Sequence, residues 1–171
     1  AMRSEQVGAL QTDDMAALTS AQVHVLSDSQ LAAIDPDHLQ AISTTGLAGL
    51  STAQIQGLST LQISSLTADQ VLHFSNIQLT ALQPAQVSSL ANDAVAVLSS
   101  SQVRALTTEQ IQALTLQQMP SITLESVGAL NTSQVVALSS EQMSVLSGAQ
   151  LAAFTATQIT VMSVEQKAVL G

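Results

Sequence analysis

The residues of this sequence with an evident capacity for chemistry are three histidines and twelve carboxylates. They lie closest together in the segment DPDH, Asp35 to His38, whose side-chain oxygen and nitrogen atoms are of the kinds that bind divalent metals. A purely structural interpretation explains the same segment: Asp35 caps a helix, Pro36 takes the first helical position and Asp37 lies in the first turn. No second cluster supplies further ligands, so we favour the structural interpretation and predict no metal site.

Hydroxyl side chains are abundant, but a nucleophilic serine or threonine needs an adjacent base and a group that orients that base. His24 and His73 lie far from His38 in the sequence and form no evident pair with each other. We therefore predict no catalytic residue, no cofactor-binding residue and no cofactor, and expect that the protein is not an enzyme.

The elements that carry these residues follow one eight-residue rule, stated most clearly by SSSQVRAL-TTEQIQAL from Ser99 to Leu114. We number the positions of this octad 1 to 8, with Ser or Thr at 1, Gln at 4, a branched aliphatic at 5 and Leu at 8. Twenty-one octads run without interruption from Arg3 to Leu170, numbered here 1 to 21. We interpret residues 3–170 as a single domain of a longer protein. Residues 1–2 resemble a cloning scar.

Each octad carries the signals of a helix start. Ser or Thr at position 1 followed by Gln at position 4 is a capping box, in which each side chain bonds the backbone N–H of the other residue. Position 4 is Gln in 16 octads, and the exceptions are Asp14, His38, Gly46, Ala94 and Ser126. We predict that Gln102, Gln110, Gln134 and Gln142 bond a backbone N–H at the start of their own helices and serve structure only.

The predicted fold class is all-α, a solenoid of 21 eight-residue repeats that each form a short capped helix and a tight turn. At 100° per residue, positions 8, 1, 5 and 4 share one helix face, while positions 2, 3 and 6 lie opposite. So short a helix is unstable alone and has to bury its apolar face against neighbouring octads. One continuous helix is less favoured because its leucine stripe would wind around the axis, and apolar spacings of three and five do not fit strands. We expect three or four octads per superhelical turn.

The pattern sorts mid-array residues into core and surface. The predicted core includes Val103, Leu106, Ile111 and Leu114, while Arg104, Glu109 and Gln112 are predicted to be exposed. Leu61, Leu72 and Ile77 place apolar side chains at outward positions, either as scattered surface residues or as a docking patch.

Three octads carry departures with a predicted consequence. In Ala91–Leu98 the capping residue and the glutamine are both missing, and Asn92 is a candidate for a cap one residue later. Pro120 should shorten its helix. Lys167 falls on the apolar stripe of the last octad, as expected of an end cap or a frayed unit.

The charge balance argues against several classes of partner. The net charge is −9, and only Arg3, Arg104 and Lys167 are cationic, so binding to nucleic acid or to an anionic membrane surface is not expected. No apolar run is long enough for membrane insertion. There is no cysteine, which is compatible with either an extracellular or a cytosolic location.

Two resemblances concern function. LQPAQVSSL, Leu82 to Leu90, is similar to the first helix of transcription activator-like effector repeats. That family's second helix and basic character are absent here, so DNA binding is not carried over. The whole array, as in ALTTEQIQAL and ALSSEQMSVL, resembles the octapeptide repeats of very large secreted or surface adhesin-like proteins of Gram-negative bacteria.

The second resemblance implies a spacer or stalk located outside the cell or on its surface, with a cytoplasmic location left open. Its partners would be neighbouring domains of the same polypeptide. The alternative is a solenoid module that binds a protein or peptide.

Overall fold

The computed structural model describes residues 2–171, and each of the 21 octads contributes one short helical element. Twenty of these elements are α-helices and one is a 3₁₀-helix. Residues 2–171 contain no β-strand. The α-helices are Ser4–Gly8, Thr12–Ala16, Ser20–His24, Asp28–Ala32, Pro36–Ala41, Thr44–Leu47, Thr52–Gly57, Thr60–Ser65, Ala68–Leu72, Asn76–Ala81, Pro84–Ser89, Asn92–Ala96, Ser100–Ala105, Thr108–Ala113, Leu124–Ala129, Thr132–Ala137, Ser140–Ser144, Gly148–Ala152, Ala156–Val161 and Val164–Leu170, and the 3₁₀-helix is Met119–Ser121.

The helices stack so that almost every one packs against the helix three octads later. The first helix, Ser4–Gly8, contacts Asp28–Ala32, and the same relation continues along the chain. One superhelical turn therefore contains three octads, the lower of the two values expected from the sequence. The predicted all-α solenoid is confirmed.

The core consists of the side chains at positions 5 and 8. Val103, Leu106, Ile111 and Leu114 are buried, at 0 to 5% exposed. Arg104, Glu109 and Gln112 are exposed. Both sets match the prediction. Position 1 departs from it, since capping side chains such as Ser99 and Thr107 stay exposed beside the helix starts instead of entering the core.

The irregular octads give mixed outcomes. Asn92 does not cap its helix: Ala91 is the N-cap residue, with no side-chain hydrogen bond, and Asn92 is the first helical residue. The prediction of a late cap is wrong. Pro120 does shorten its element, because octad 15 forms only the 3₁₀-helix Met119–Ser121. Lys167 is exposed within Val164–Leu170, a regular helix rather than a frayed unit.

Candidate functional site

The position-4 glutamines are the polar side chains that the fold organises most regularly, and they are the candidate site. In all 16 of these residues the side-chain Oε1 accepts a hydrogen bond from the backbone N–H at position 1 of the same octad. For Gln110 the partner is the Thr107 N–H at 2.9 Å, and the Gln110 N–H donates to the Thr107 hydroxyl at 3.2 Å. The predicted capping role of Gln102, Gln110, Gln134 and Gln142 is confirmed.

In most of these glutamines the Nε2 atom, at the other end of the amide, forms hydrogen bonds that the sequence did not predict. Gln110 Nε2 donates to the carbonyl oxygens of Leu79 at 2.8 Å and Leu82 at 2.7 Å. These carbonyls lie at positions 5 and 8 of octad 10, four octads earlier, at the end of its helix. The Leu79 carbonyl also accepts from the Leu82 N–H, whereas the Leu82 carbonyl accepts from no backbone N–H. One glutamine side chain thus caps the start of its own helix and the end of a helix in the preceding turn.

We call this arrangement an inter-turn bridge. It is present at every position-4 glutamine from Gln54 to Gln166, and the bond to the position-8 carbonyl is 2.7 to 3.1 Å long in each case. Gln30 forms the same bond to the Met2 carbonyl at 2.6 Å. The glutamines from Gln54 onward are at most 6% exposed, so water does not compete for these bonds.

The bridges are an energetic necessity as well as a link. A buried amide without partners costs about 1–3 kcal/mol, and each hydrogen bond contributes about 1 kcal/mol net. Because Gln110 is only 1% exposed, its amide has to be satisfied within the protein. The same chemistry explains why Gln occurs here where an aliphatic residue would otherwise suit a core position.

Four of the octads from octad 5 onward lack this glutamine. The residues in its place are His38, Gly46, Ala94 and Ser126. The Ser126 hydroxyl partly replaces the bridge, donating to the Leu98 carbonyl at 3.4 Å. His38 and Gly46 are in consecutive octads, so two successive bridges are missing early in the array.

In octads 1–6, glycine residues allow the backbones of the first and second turns to approach each other closely. A Cβ atom added at Gly46 would lie 2.7 Å from the Leu18 carbonyl oxygen, and one added at Gly49 would lie 2.0 Å from the Ser20 carbonyl oxygen. A Cβ atom added at Gly8 would lie 2.8 Å from the Ala33 carbonyl oxygen. All three contacts join the first turn to the second, so close backbone packing takes the place of bridges there.

The segment from Asp35 to His38 has the predicted structural arrangement. Asp35 is the N-cap, its carboxylate accepts from the His38 N–H at 2.9 Å, and Pro36 is the first helical residue. That backbone bond lowers the pKa of the Asp35 carboxyl. The His38 Nδ1 lies 2.9 Å from the other Asp35 oxygen. Among residues 2–171, no group of three His, Cys, Asp or Glu side chains is placed to hold a metal ion.

The remaining residues considered for chemistry are far apart. His24 Nδ1 lies 3.0 Å from the Gly49 carbonyl oxygen, and His73 Nδ1 lies 2.8 Å from the Asp69 carbonyl oxygen. The two histidines therefore contact different helices and not each other. The capping hydroxyls accept hydrogen bonds from backbone N–H groups, as the Thr107 hydroxyl does from the Gln110 N–H.

The three outward apolar residues are exposed, as predicted, with Leu61 at 71%, Leu72 at 41% and Ile77 at 70%. They belong to three successive octads. Because three octads complete a turn, their helices lie on three different sides of the solenoid. The three side chains therefore do not share one helical face.

Carboxylates at position 3 interact with the helix starts. The pKa values of Glu109, Glu141 and Glu165 are lowered, first by the backbone N–H of each residue and then by the hydroxyl of the capping residue. These fully exposed groups tune the helix ends and form no cluster.

Comparison with known families gives one result. A sequence model described as the ALTTAQ repeat matches residues 7–44, 39–76 and 79–116, which together are more than half of the chain. The segment ALTTEQ, Ala105 to Gln110, is one residue different from those six letters and spans position 7 of one octad to position 4 of the next. A search among curated proteins gave no match. None of the helices in residues 2–171 is long and apolar enough to cross a membrane.

Proposed function

This chain belongs to the ALTTAQ repeat family, and from that premise we propose that it is a non-enzymatic spacer or stalk segment of a large exported bacterial protein. The observation that carries the proposal is the series of inter-turn bridges. Because each bridge joins the start of one helix to the end of another in the preceding turn, the array resists bending, and its length increases with the number of octads.

The exposed surface supports a spacer over a binding module. Protein-binding surfaces are enriched in aromatic residues, whereas the two phenylalanines of this sequence, Phe74 and Phe154, are both buried, and Trp and Tyr do not occur. The outward positions carry mostly Ser, Thr, Ala and a few acidic residues. Such a surface stays hydrated and offers few anchor residues.

The cellular setting rests on the resemblance to octapeptide arrays of adhesin-like proteins. An extracellular or cell-surface location, with neighbouring domains of the same polypeptide as partners, is part of the proposal. The net charge of −9 favours a soluble, well-hydrated segment.

The alternative function is a protein- or peptide-binding module, and the exposed Leu61 and Ile77 are the residues that favour it. Because these side chains lie on different faces, they do not combine into one extended apolar docking surface. The test is a Leu61→Ser, Ile77→Ser double variant of the polypeptide that contains the array. If the variant binds the same proteins as the natural polypeptide, the spacer is favoured.

Small-angle scattering tests the spacer directly. Stacking seven turns at about 8–10 Å each gives a rod of about 60–70 Å, whereas a globule of this size has a radius of gyration of about 16 Å. Deleting one whole turn, residues 59–82, should shorten the rod by about one layer without unfolding it. A compact profile, or a length unchanged by the deletion, would contradict the proposal.

A further inference from the structure

The inter-turn bridges are distributed unevenly, and the first junction differs from all the others. We define the first junction as the contact of octads 1–3, Arg3–Leu26, with the turn that follows. In the later bridges a position-4 side chain bonds the position-8 carbonyl 28 residues earlier. The residues with this spacing from the ends of octads 1–3 are His38, Gly46 and Gln54. Only Gln54 forms a bridge, to the carbonyl oxygens of Val23, His24 and Leu26 at 2.8 to 3.1 Å.

Every later junction keeps at least two of its three bridges. Ala94 and Ser126 each interrupt one junction, and the glutamines of the octads on both sides of each remain bridged. At the first junction the two missing bridges are consecutive. Octads 1 and 2, Arg3–Leu18, therefore have no position-4 side chain bonded to the carbonyls at their helix ends.

Octads 1 and 2 are held mainly by packing, with the bond from Gln30 to the Met2 carbonyl just before them. Val7 and Met15 are fully buried, but Leu10 and Leu18, at position 8, are only partly buried, unlike the corresponding leucines at mid-array. The glycine contacts at Gly8 and Gly46 bring backbones together without adding hydrogen bonds. Less apolar burial and fewer hydrogen bonds lower the free energy needed for local opening.

We propose that residues 3–18 form a cooperative unit that undocks from the second turn while the rest of the solenoid stays folded, with Gln54 fixing the boundary at octad 3. In a stalk, such a unit would open before the rest of the array. The inference concerns local stability and holds whether the array serves as a spacer or as a binding module.

Hydrogen exchange on the full chain measures the opening. The amides of Val7, Leu10, Met15 and Leu18 are all hydrogen-bonded within their octads, so they exchange only when these helices open. We expect them to exchange at least about tenfold faster than the amides of Val103 and Leu106. The increase should end sharply before Val23, because octad 3 is bridged.

Restoring a bridge gives a matched test. In His38→Gln, the new amide can reach the carbonyl oxygens of Val7 and Leu10. These residues stand 31 and 28 positions earlier, as Leu79 and Leu82 do in the bridge of Gln110. Exchange in residues 3–10 should slow by about tenfold. His73→Gln makes the same change at an exposed position where the side chain itself belongs to no bridge, and it should leave exchange in residues 3–18 unchanged.

Removing the remaining bridge should move the boundary. Gln54→Ala is expected to extend the fast-exchanging region from residue 18 to about residue 26. Three results would overturn the proposal: equal protection of residues 3–18 and mid-array, a gradual and symmetrical increase towards both chain ends, or no response to His38→Gln. The symmetrical result would indicate ordinary end fraying, because octads 20 and 21 at the other end are bridged by Gln158 and Gln166.

Discussion

Two neighbouring regions of this solenoid use the same octad but join their turns differently. In octads 7–11, Ser51–Leu90, every position-4 residue is a glutamine that forms an inter-turn bridge. In octads 5 and 6, Asp35–Leu50, the same position holds His38 and Gly46, and glycine permits close backbone contact instead. Both regions are helical and stacked, so an octad does not need a glutamine at its own position 4 in order to stack.

The comparison separates two roles within one motif. Positions 5 and 8 drive stacking through burial of apolar surface, and position 4 satisfies the helix ends that stacking would otherwise leave unpaired. We expect the loss of the second role to leave the fold intact and to lower local stability. Substitutions at the two sets of positions therefore test this division.

Truncating a core leucine should have the largest effect, and it should differ between the two regions. Leu106→Ala at mid-array is expected to cost about 2–5 kcal/mol of unfolding free energy, through lost burial and a residual cavity. Leu18→Ala in octad 2 should cost about 1–2 kcal/mol, since Leu18 is only partly buried. Denaturant unfolding measures both, and equal costs would remove the energetic distinction between the regions.

Removing a bridge should cost somewhat less. Gln110→Leu is expected to lower the unfolding free energy by about 2–4 kcal/mol, because the Thr107 N–H and the buried Leu82 carbonyl lose their partner and the Leu79 carbonyl keeps only the Leu82 N–H. Gln112→Ala, at an exposed position of the same helix, should change it by less than about 0.5 kcal/mol. If Gln110→Leu were as mild as the control, bridges would be incidental to stability.

Inserting glutamine where it is missing should have opposite outcomes at two sites. Gly46→Gln should destabilise by about 1–3 kcal/mol, because its Cβ would meet the Leu18 carbonyl oxygen at 2.7 Å and force the backbones apart. Thermal unfolding is a sufficient measurement. Stabilisation by Gly46→Gln would mean that close backbone packing contributes nothing at the first junction.

The converse substitution is Ala94→Gln, where a Cβ is already present. The new amide stands 31 and 28 residues after Ile63 and Leu66, whose carbonyls it should bond, for a gain of about 0.5–1.5 kcal/mol. Ala96→Gln, an exposed control in the same helix, should have almost no effect. Equal melting temperatures for the two variants would contradict the expectation.

Acidic pH should produce the smallest effect. Glu109, Glu141 and Glu165 have lowered pKa values in the folded chain, against an ordinary value of 4.5. Their contribution is complete above that value and is lost as the pH falls through the lowered pKa values. Relative to a triple Glu→Gln variant, the natural chain should therefore lose stability only below about pH 4.5. If the difference in stability between the two proteins developed between pH 7 and 5 instead, it would come from the titration of other groups.

Much of this architecture can be predicted from the sequence, because the signals are local. The capping pair Thr107 and Gln110 and the buried pair Ile111 and Leu114 follow from the periodicity of a single octad. The failure at Asn92 is also instructive. Its helix starts where the octad frame requires, with Ala91 as an N-cap that lacks a side-chain bond, so stacking on neighbouring helices overrides the local preference of asparagine for a cap.

The bridges could not be predicted, because they depend on how many octads complete a turn. An eight-residue period does not specify whether Gln110 lies near Leu82 or near a residue of another octad. The close approach of Gly49 to Ser20 depends on the same number. Knowing that three octads make a turn would have been enough to place both contacts.

The central claim is that the glutamine amides join successive turns, and exchange of their own side-chain protons tests it most directly. Nuclear magnetic resonance of the protein labelled with ¹⁵N at glutamine resolves these NH₂ groups. We expect the protons of buried Gln110 and Gln134 to be strongly protected in D₂O, and those of exposed Gln112 to exchange at once. Exchange of Gln110 and Gln134 as rapid as that of Gln112 would contradict the bridges and the account built on them.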